Sequence, residues 1–362
     1  MEDTKIGVWE CIATIGCVNI IPLVLTIPTF TAQNFGTGSM FHTIYSIIIG
    51  AISLGILFRL FFKFPGKDFF EISEYAGGKF LKYLSYIIVI AYLLTSTVIV
   101  LSEFNENIRN ILFKNAPSEY VYLLFIVGMF FGILSGIKGI FRTGMIIGPI
   151  ILSALLFMFF ALFENIDTTN YFPAFGNSLS DFFVEGGFRI EIFEGMFLIL
   201  LMGGQLTNVK KASIGSFILV SFIVLLVSAL LFGIIPYPTT PENYFPFFEL
   251  SRFISFGRFV QRVEALYTLI WLLAVYLYIS LDTSYITQIL SKAFNIKYPK
   301  RIMLLICMLI FGITLLFKSY ITVLAVRKIF IAYVIPFAAF LYSLLIMVIA
   351  TAKLRRKENE KI

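Results

Sequence analysis

An all-α integral membrane protein of about ten transmembrane helices, arranged as two halves of five, is the fold class this sequence predicts. Three observations predict it. The 362-residue chain is 59% hydrophobic, 17% aromatic and only 14% charged, more apolar surface than a water-soluble fold covers. Charge-poor runs long enough to cross a bilayer recur along its length, and no hydrophilic stretch exceeds about 30 residues. The first and sixth of these runs carry helix-breaking residues at corresponding places in the two halves.

Taken in order, the spans are expected at residues 7–30, 41–62, 84–102, 121–137, 144–163, 188–209, 212–235, 258–290, 301–317 and 329–351. They divide into repeat one (7–163) and repeat two (188–351) of a single transmembrane domain (1–353), followed by a basic tail (354–362). The first residues are acidic and lack a basic leader pattern, so span one is expected to be retained. Span one is interrupted by Gly16, Asn19, Pro22 and Pro28; span six by Glu194-Gly195 and Gly203-Gly204. Paired broken spans point to an inverted repeat with a ligand site at mid-bilayer. Gly and Pro also serve membrane helices as packing residues and kinks, and that reading stays open.

Between spans two and three, Pro65-Gly66 reads as a turn and residues 68–75 as a short interfacial helix ended at Gly77-Gly78. The outer loops, 164–188 and 236–257, are aromatic and proline-rich, suited to the membrane surface or to a lid. Of the 28 Lys and Arg, nineteen fall in loops on the side of the termini and nine on the other. Both termini are therefore expected in the cytoplasm. Lys318, Arg327 and Lys328 are the exception, placed in an outer loop. Loop topology accounts for the net charge of +7 without nucleic acid. Cys11, Cys17 and Cys307 have no paired spacing, and with a single histidine, His42, no metal site or disulfide is expected.

The most distinctive stretch is 243–287. A proline-rich segment leads into a short amphipathic helix with Glu249, Arg252 and Arg258, then Gln261, Arg262 and Glu264. A charge-free run of about 17 residues follows, roughly 26 Å of helix. Glu264, Trp271, Tyr278 and Tyr285 recur every seven residues with Tyr267 and Asp282 beside them, so one face is aromatic and acidic and belongs against other helices or a cavity.

The ten-span plan, the loop FPGKDFFEISEYAGGKFLKYL, NYFPAF before span six and FPFFELSRFISFGRFVQRVEALYTLIW together resemble the spore germination permease family, the B subunit of Ger-type nutrient germinant receptors. Gly257, Phe259, Arg262, Glu264 and Trp271 carry the most specific part. The resemblance implies the amino acid–polyamine–organocation transporter fold (LeuT-like, with broken helices 1 and 6) and residence in the endospore inner membrane. It also implies an A-type and a lipoprotein C-type partner subunit, and a role in starting germination when a nutrient arrives.

No nucleophile elbow, phosphate loop or metal-ligand cluster supports an enzyme or a cofactor. Ligand recognition remains. Freed N–H groups at a half-helix start suit an amino-acid carboxylate, while freed carbonyls and an acidic side chain suit its ammonium. A pocket is expected from Thr14, Gly16, Cys17 and Asn19 of span one with Phe193, Glu194, Gly195 and Phe197 of span six. Alternatively, Glu191 and Glu194 sit at the outer interface, solvated or paired with Arg189. Glu264 reads as a gate or proton site, or as an ion-pair anchor to a partner on another span. Asp282 is expected near the cytoplasmic interface, with Thr283 and Ser284 as candidate gating, coupling or sodium ligands. Glu103 is expected at the outer interface, and Trp271 with the other aromatic residues in packing. The functional readings are a receptor subunit for a small nutrient, a proton-coupled amino-acid permease acting alone, or an assembly scaffold or water/ion path.

Overall fold

The computed structural model describes residues 5–111, 116–176, 178–180, 182–183, 190–242, 246–254, 263–296, 299–317 and 319–360. Seven helical stretches among them are long and apolar enough to cross a membrane: Val8–Leu25, Ile27–Phe61, Phe69–Asn110, Gly136–Asn165, Val209–Ile234, Tyr267–Ala293 and Tyr320–Asn359. Ser118–Leu134 is a shorter apolar helix. No strand occurs among the described residues. One isolated parallel bridge joins Ile6 to Leu206, with Ile6 N donating to Gln205 O (2.8 Å) and Thr207 N to Ile6 O (3.0 Å). This is a multi-pass membrane protein.

The first segment forms α1 (Val8–Leu25) and α2 (Ile27–Phe35). Sequence reasoning set its interruption among Gly16, Asn19, Pro22 and Pro28. The helix instead runs unbroken through Gly16, Asn19 and Pro22, and breaks at Thr26 (φ −125°, ψ −20°). Pro28 accounts for the position: its ring crowds the carbonyl four residues back and donates nothing to it, so the helix stops short and restarts. In the new first turn the missing N–H costs little. After α3 (Ser39–Phe61), the expected interfacial helix is present. Asp68 and Glu71 cap it reciprocally, Glu71 N donating to Asp68 Oδ1 (2.8 Å) and Asp68 N to Glu71 Oε2 (2.9 Å). It opens α4 (Phe69–Ile111), whose elbow lies at Gly77 and Gly78. Gly78 has φ 73° and ψ −164°, a backbone region open essentially to glycine alone.

Next come α5 (Ser118–Leu134) and α6 (Gly136–Leu162). The sixth segment is interrupted as expected. Glu191–Met196 is a tight 3₁₀ stretch with Phe193 off helical geometry (φ −115°, ψ 20°), α7 (Phe197–Leu201) is barely more than a turn, and Gly203–Gln205 tightens again. Then follow α8 (Val209–Ile234), the short α9 (Thr239–Glu242) and α10 (Pro246–Arg252), α11 (Val263–Ala293) and α12 (Pro299–Thr314).

The last segment differs from its expected bounds. Ser319 caps a helix that begins at Tyr320, accepting from Ile321 N (3.2 Å). It runs as α13 (Tyr320–Ile329), widens to a π-helix over Phe330–Leu341 around Pro336, and continues as α14 (Tyr342–Asn359) through most of the basic tail. Packing places α1 against α6, α8 and α11, and α11 against α4, α5 and α6. Both are therefore central, and α1 from Thr14 to Leu25 is wholly buried. Tyr267 of α11 donates to Ala154 O of α6 (2.7 Å). Trp271 meets Phe247 edge-on (5.3 Å), pinning α10 to α11, the packing role expected of it. Arg262 lies outside the described residues, as do Arg258 and Arg189.

Candidate functional site

Inside the bundle, where α4, α11, α13 and the interrupted sixth segment converge, lies a cluster of ionisable side chains sealed from solvent. Arg327 is 0% exposed. Its Nε lies 3.8 Å from Glu103 Oε1 and its Nη1 3.8 Å from Glu194 Oε2. Glu103 accepts from Thr26 Oγ1 (3.0 Å), the residue at which the first segment breaks. Glu194 accepts from Tyr278 OH (3.1 Å), and Tyr278 in turn meets Ser96. Asp282 is buried beside the hydroxyls of Ser96 and Thr97. Tyr92 stacks on Phe330 (5.5 Å) and meets Phe197 edge-on (5.4 Å). Three acidic groups and one guanidinium thus share a compartment walled by aromatic rings.

The Arg327 contacts are ion pairs without hydrogen bonds: none of its three guanidinium nitrogens has an acceptor among the described residues. Buried donors of this kind are rare in folded proteins, and each calls for a partner or a role. A guanidinium offers a planar fork matched to a carboxylate. Chemically, the cluster suits a small zwitterion that exchanges its carboxylate and ammonium for these contacts, or the exchange of protons or cations among the acids.

The structure brings together two of the residues expected to form the pocket. Gly195 N donates to Asn19 Oδ1 (3.1 Å), and Asn19 Nδ2 donates to Ile15 O (2.8 Å). The two interrupted segments are therefore joined at their glycine and amide. Glu194 is one residue away and faces Arg327; both Glu191 and Glu194 are buried, which corrects the expectation of solvated carboxylates, while the alternative pairing with Arg189 falls on a residue outside those described. Phe193 stacks on Phe217 (4.9 Å), and Phe197 borders Tyr92 and Phe69. Three others lie apart. Thr14 bonds to Glu10 O and Phe141 O, toward α6. A Cβ on Gly16 would strike Leu219 of α8 at 2.8 Å, so Gly16 is a helix-packing position. Cys17 is buried in the apolar core. The space beside Phe193, Glu194 and Phe197 is about 10 Å³, room for one water at most. The hollow shared by Ile27 and Pro28 of the first segment with Glu191 and Ile192 of the sixth is about 20 Å³, so it too is closed to anything larger than a water.

Among the expected gating residues, Asp282 is buried inside the bundle beside Ser96 and Thr97 of α4, not solvated as a residue nearing an interface would be. Thr283 directs its hydroxyl to Met129 Sδ on α5 (3.2 Å), and Ser284 is buried next to it. Consecutive helical positions point about 100° apart, so the two hydroxyls do not converge. Glu264 is half-buried at the start of α11.

Besides Asp282, two residues of the cluster lie away from the places the sequence predicts for them. Arg327 was counted as an outer-loop charge, but the helix begins seven residues before it and carries it inward by ~10 Å. Glu103 was placed at the interface, and the guanidinium and the Thr26 hydroxyl account for its burial instead. The available signal was local: Arg327-Lys328 is flanked by ITVLAV and IFIAYV, apolar on both sides.

A family model described as "Spore germination protein" matches residues 24–323. Among curated proteins no sequence matches. Among solved structures, a Na⁺-coupled sialic acid symporter in a substrate-bound outward-open state shares the fold. The TM-score is 0.61 with 12% identity, over 93% of this chain and 80% of that one.

Proposed function

Because the chain belongs to the spore germination protein family, we propose that it is the membrane subunit of a spore nutrient germinant receptor, binding a small nutrient of amino-acid type at the Arg327 cluster. The transporter-like fold and the two interrupted segments support a five-plus-five inverted repeat around that site. In this reading the nutrient carboxylate takes the open donors of Arg327, and its ammonium takes Glu194, adjoining the Asn19–Gly195 junction. The closed hollow makes binding a population shift: ligand is held by a state in which the segments have parted, and its affinity is reduced by the rarity of that state. A-type and lipoprotein C-type subunits in the endospore inner membrane would read the change, with both termini of this chain cytoplasmic.

The observation that carries the proposal is the buried guanidinium without hydrogen bonds at an interrupted helix. The test alters the ligand and leaves the protein intact. Purified protein in lipid nanodiscs is titrated with each common L-amino acid and with the corresponding amino-acid amide, following thermal unfolding. An amino acid that stabilises the protein is expected to outdo its amide by tenfold or more in apparent affinity, the worth of charge-assisted hydrogen bonds to a carboxylate. Equal potency of acid and amide sinks the reading.

The excess of buried acids supports a second reading, a proton-coupled amino-acid permease. It predicts uptake into liposomes driven by a pH gradient and abolished by Glu194→Gln; gradient-independent flux, or none, counts against it.

A further inference from the structure

Two large grooves open on the lipid-facing surface. The larger, about 580 Å³ between α1, α6 and α8, has no charged residue in its lining and selects nothing beyond an apolar chain. The second, about 400 Å³, lies between α3 and α8 and differs in kind. Its walls are apolar, among them Phe58, Ile214 and Phe217, and its floor includes Met196, the last residue of the interrupted stretch Glu191–Met196. Its rim carries Arg59, in the last turn of α3, and Lys210, in the first turn of α8. No acidic residue lines it. Both cations are exposed and neither forms an ion pair among the described residues.

We propose that this groove is a binding site for one anionic phospholipid, its phosphate on Arg59 and Lys210 and an acyl chain laid along α3 toward Met196. Three independent features support that occupant. Ile52, Ile56 and Ile214 are about half exposed around it (56%, 50% and 50%), so the groove opens where lipid tails are the solvent. The two cations mark one membrane face, since a helix ends at one and another begins at the other, and cations at that level attract anionic headgroups. Gly55 leaves the groove open: a Cβ added there meets nothing within 4 Å.

The test uses the full chain in nanodiscs of equal parts phosphatidylcholine and phosphatidylglycerol, with native mass spectrometry reading retained lipid. Wild type is expected to keep one phosphatidylglycerol, preferred over phosphatidylcholine by roughly ten- to thirtyfold for two interfacial cations. Inorganic phosphate at millimolar concentration should not displace it. In R59Q/K210Q the preference falls to near unity while a lipid is still retained. In Gly55→Leu, whose side chain enters the open groove, retention of either lipid falls several-fold with the unfolding temperature unchanged. Displacement by phosphate overturns the proposal in favour of a simple anion site. A wild type without preference, or a preference surviving R59Q/K210Q, overturns it outright. Should Gly55→Leu unfold, the charge variant alone decides.

Discussion

Arg327 Nη1 and Glu194 Oε2 lie 3.8 Å apart, both sealed from solvent, one on a continuous helix near the end of the chain and the other on a stretch where a helix is interrupted. Charges so placed are costly to bring out of water and costlier to leave alone. Arg327→Met is therefore expected to destabilise the protein by about 3–5 kcal/mol, because it leaves Glu103 and Glu194 without a counter-charge. The triple variant Arg327→Met/Glu103→Gln/Glu194→Gln should recover much of that loss. Thermal unfolding in one detergent checks both, and a triple variant no better than the single one would show that the cluster acts through packing.

Asn19 holds the two interrupted segments together through a single side-chain acceptor. Asn19→Ala leaves the Gly195 N–H buried and unpaired, an expected cost of about 1–3 kcal/mol. Gly195→Ala attacks the same junction sterically, since its Cβ would lie 2.5 Å from Asn19 Nδ2 and 2.9 Å from Val18. The two act on one contact, so a double-mutant cycle should be strongly non-additive. Additive losses would separate them.

The elbow of α4 tests backbone conformation without crowding. A Cβ on Gly78 meets nothing within 4 Å, yet its dihedral angles lie where non-glycine residues are strained. Gly78→Ala and Gly78→Asn are both expected to cost about 1–3 kcal/mol. Asparagine eases an ordinary left-handed position; here it should not, and a rescue by asparagine in thermal unfolding would contradict the assignment.

In the loop after α6, Asp167 caps the turn Thr168–Tyr171. The Thr169 hydroxyl (2.6 Å) and Thr169 N–H (2.9 Å) hold its carboxyl below the usual value of 3.8. A lowered folded-state pKa stabilises the turn above the unfolded value and is lost as pH falls through the folded one. Amide exchange over 167–171 should therefore quicken, relative to the rest of the chain, only below about pH 4. In Asp167→Asn that acid-dependent step should be absent.

Much of this fold was legible because membrane helices announce themselves locally. The run from 265 to 281, the elbow at Gly77-Gly78 and the interruption at Glu194-Gly195 each rest on residues within one or two turns of the feature. The candidate site was legible only in its halves. Asn19 and Gly195 lie on the two segments expected to be interrupted, and they do meet, although the first helix runs through Asn19 and breaks at Thr26. Arg327 was missed because counting charges by loop treats any basic residue near a span end as interfacial. What decides is where the helix starts, and that is set by the Ser319 cap. Asp282 was misplaced by measuring distance along one helix, although the neighbouring hydroxyls of Ser96 and Thr97, from a distant part of the chain, determine whether a carboxyl can stay inside.

The pairing of Ile6 with Gln205 and Thr207 uses peptide groups only, so natural variation in side chains leaves it untouched. It staples the entry of α1 to the exit of the sixth segment, making that end a pivot. A parting of the two segments would then open widest at the opposite end, where Thr26 and Glu191 sit. Proline at position 6 or 207 removes one of the two N–H donors, so each halves the staple and should loosen the pivot.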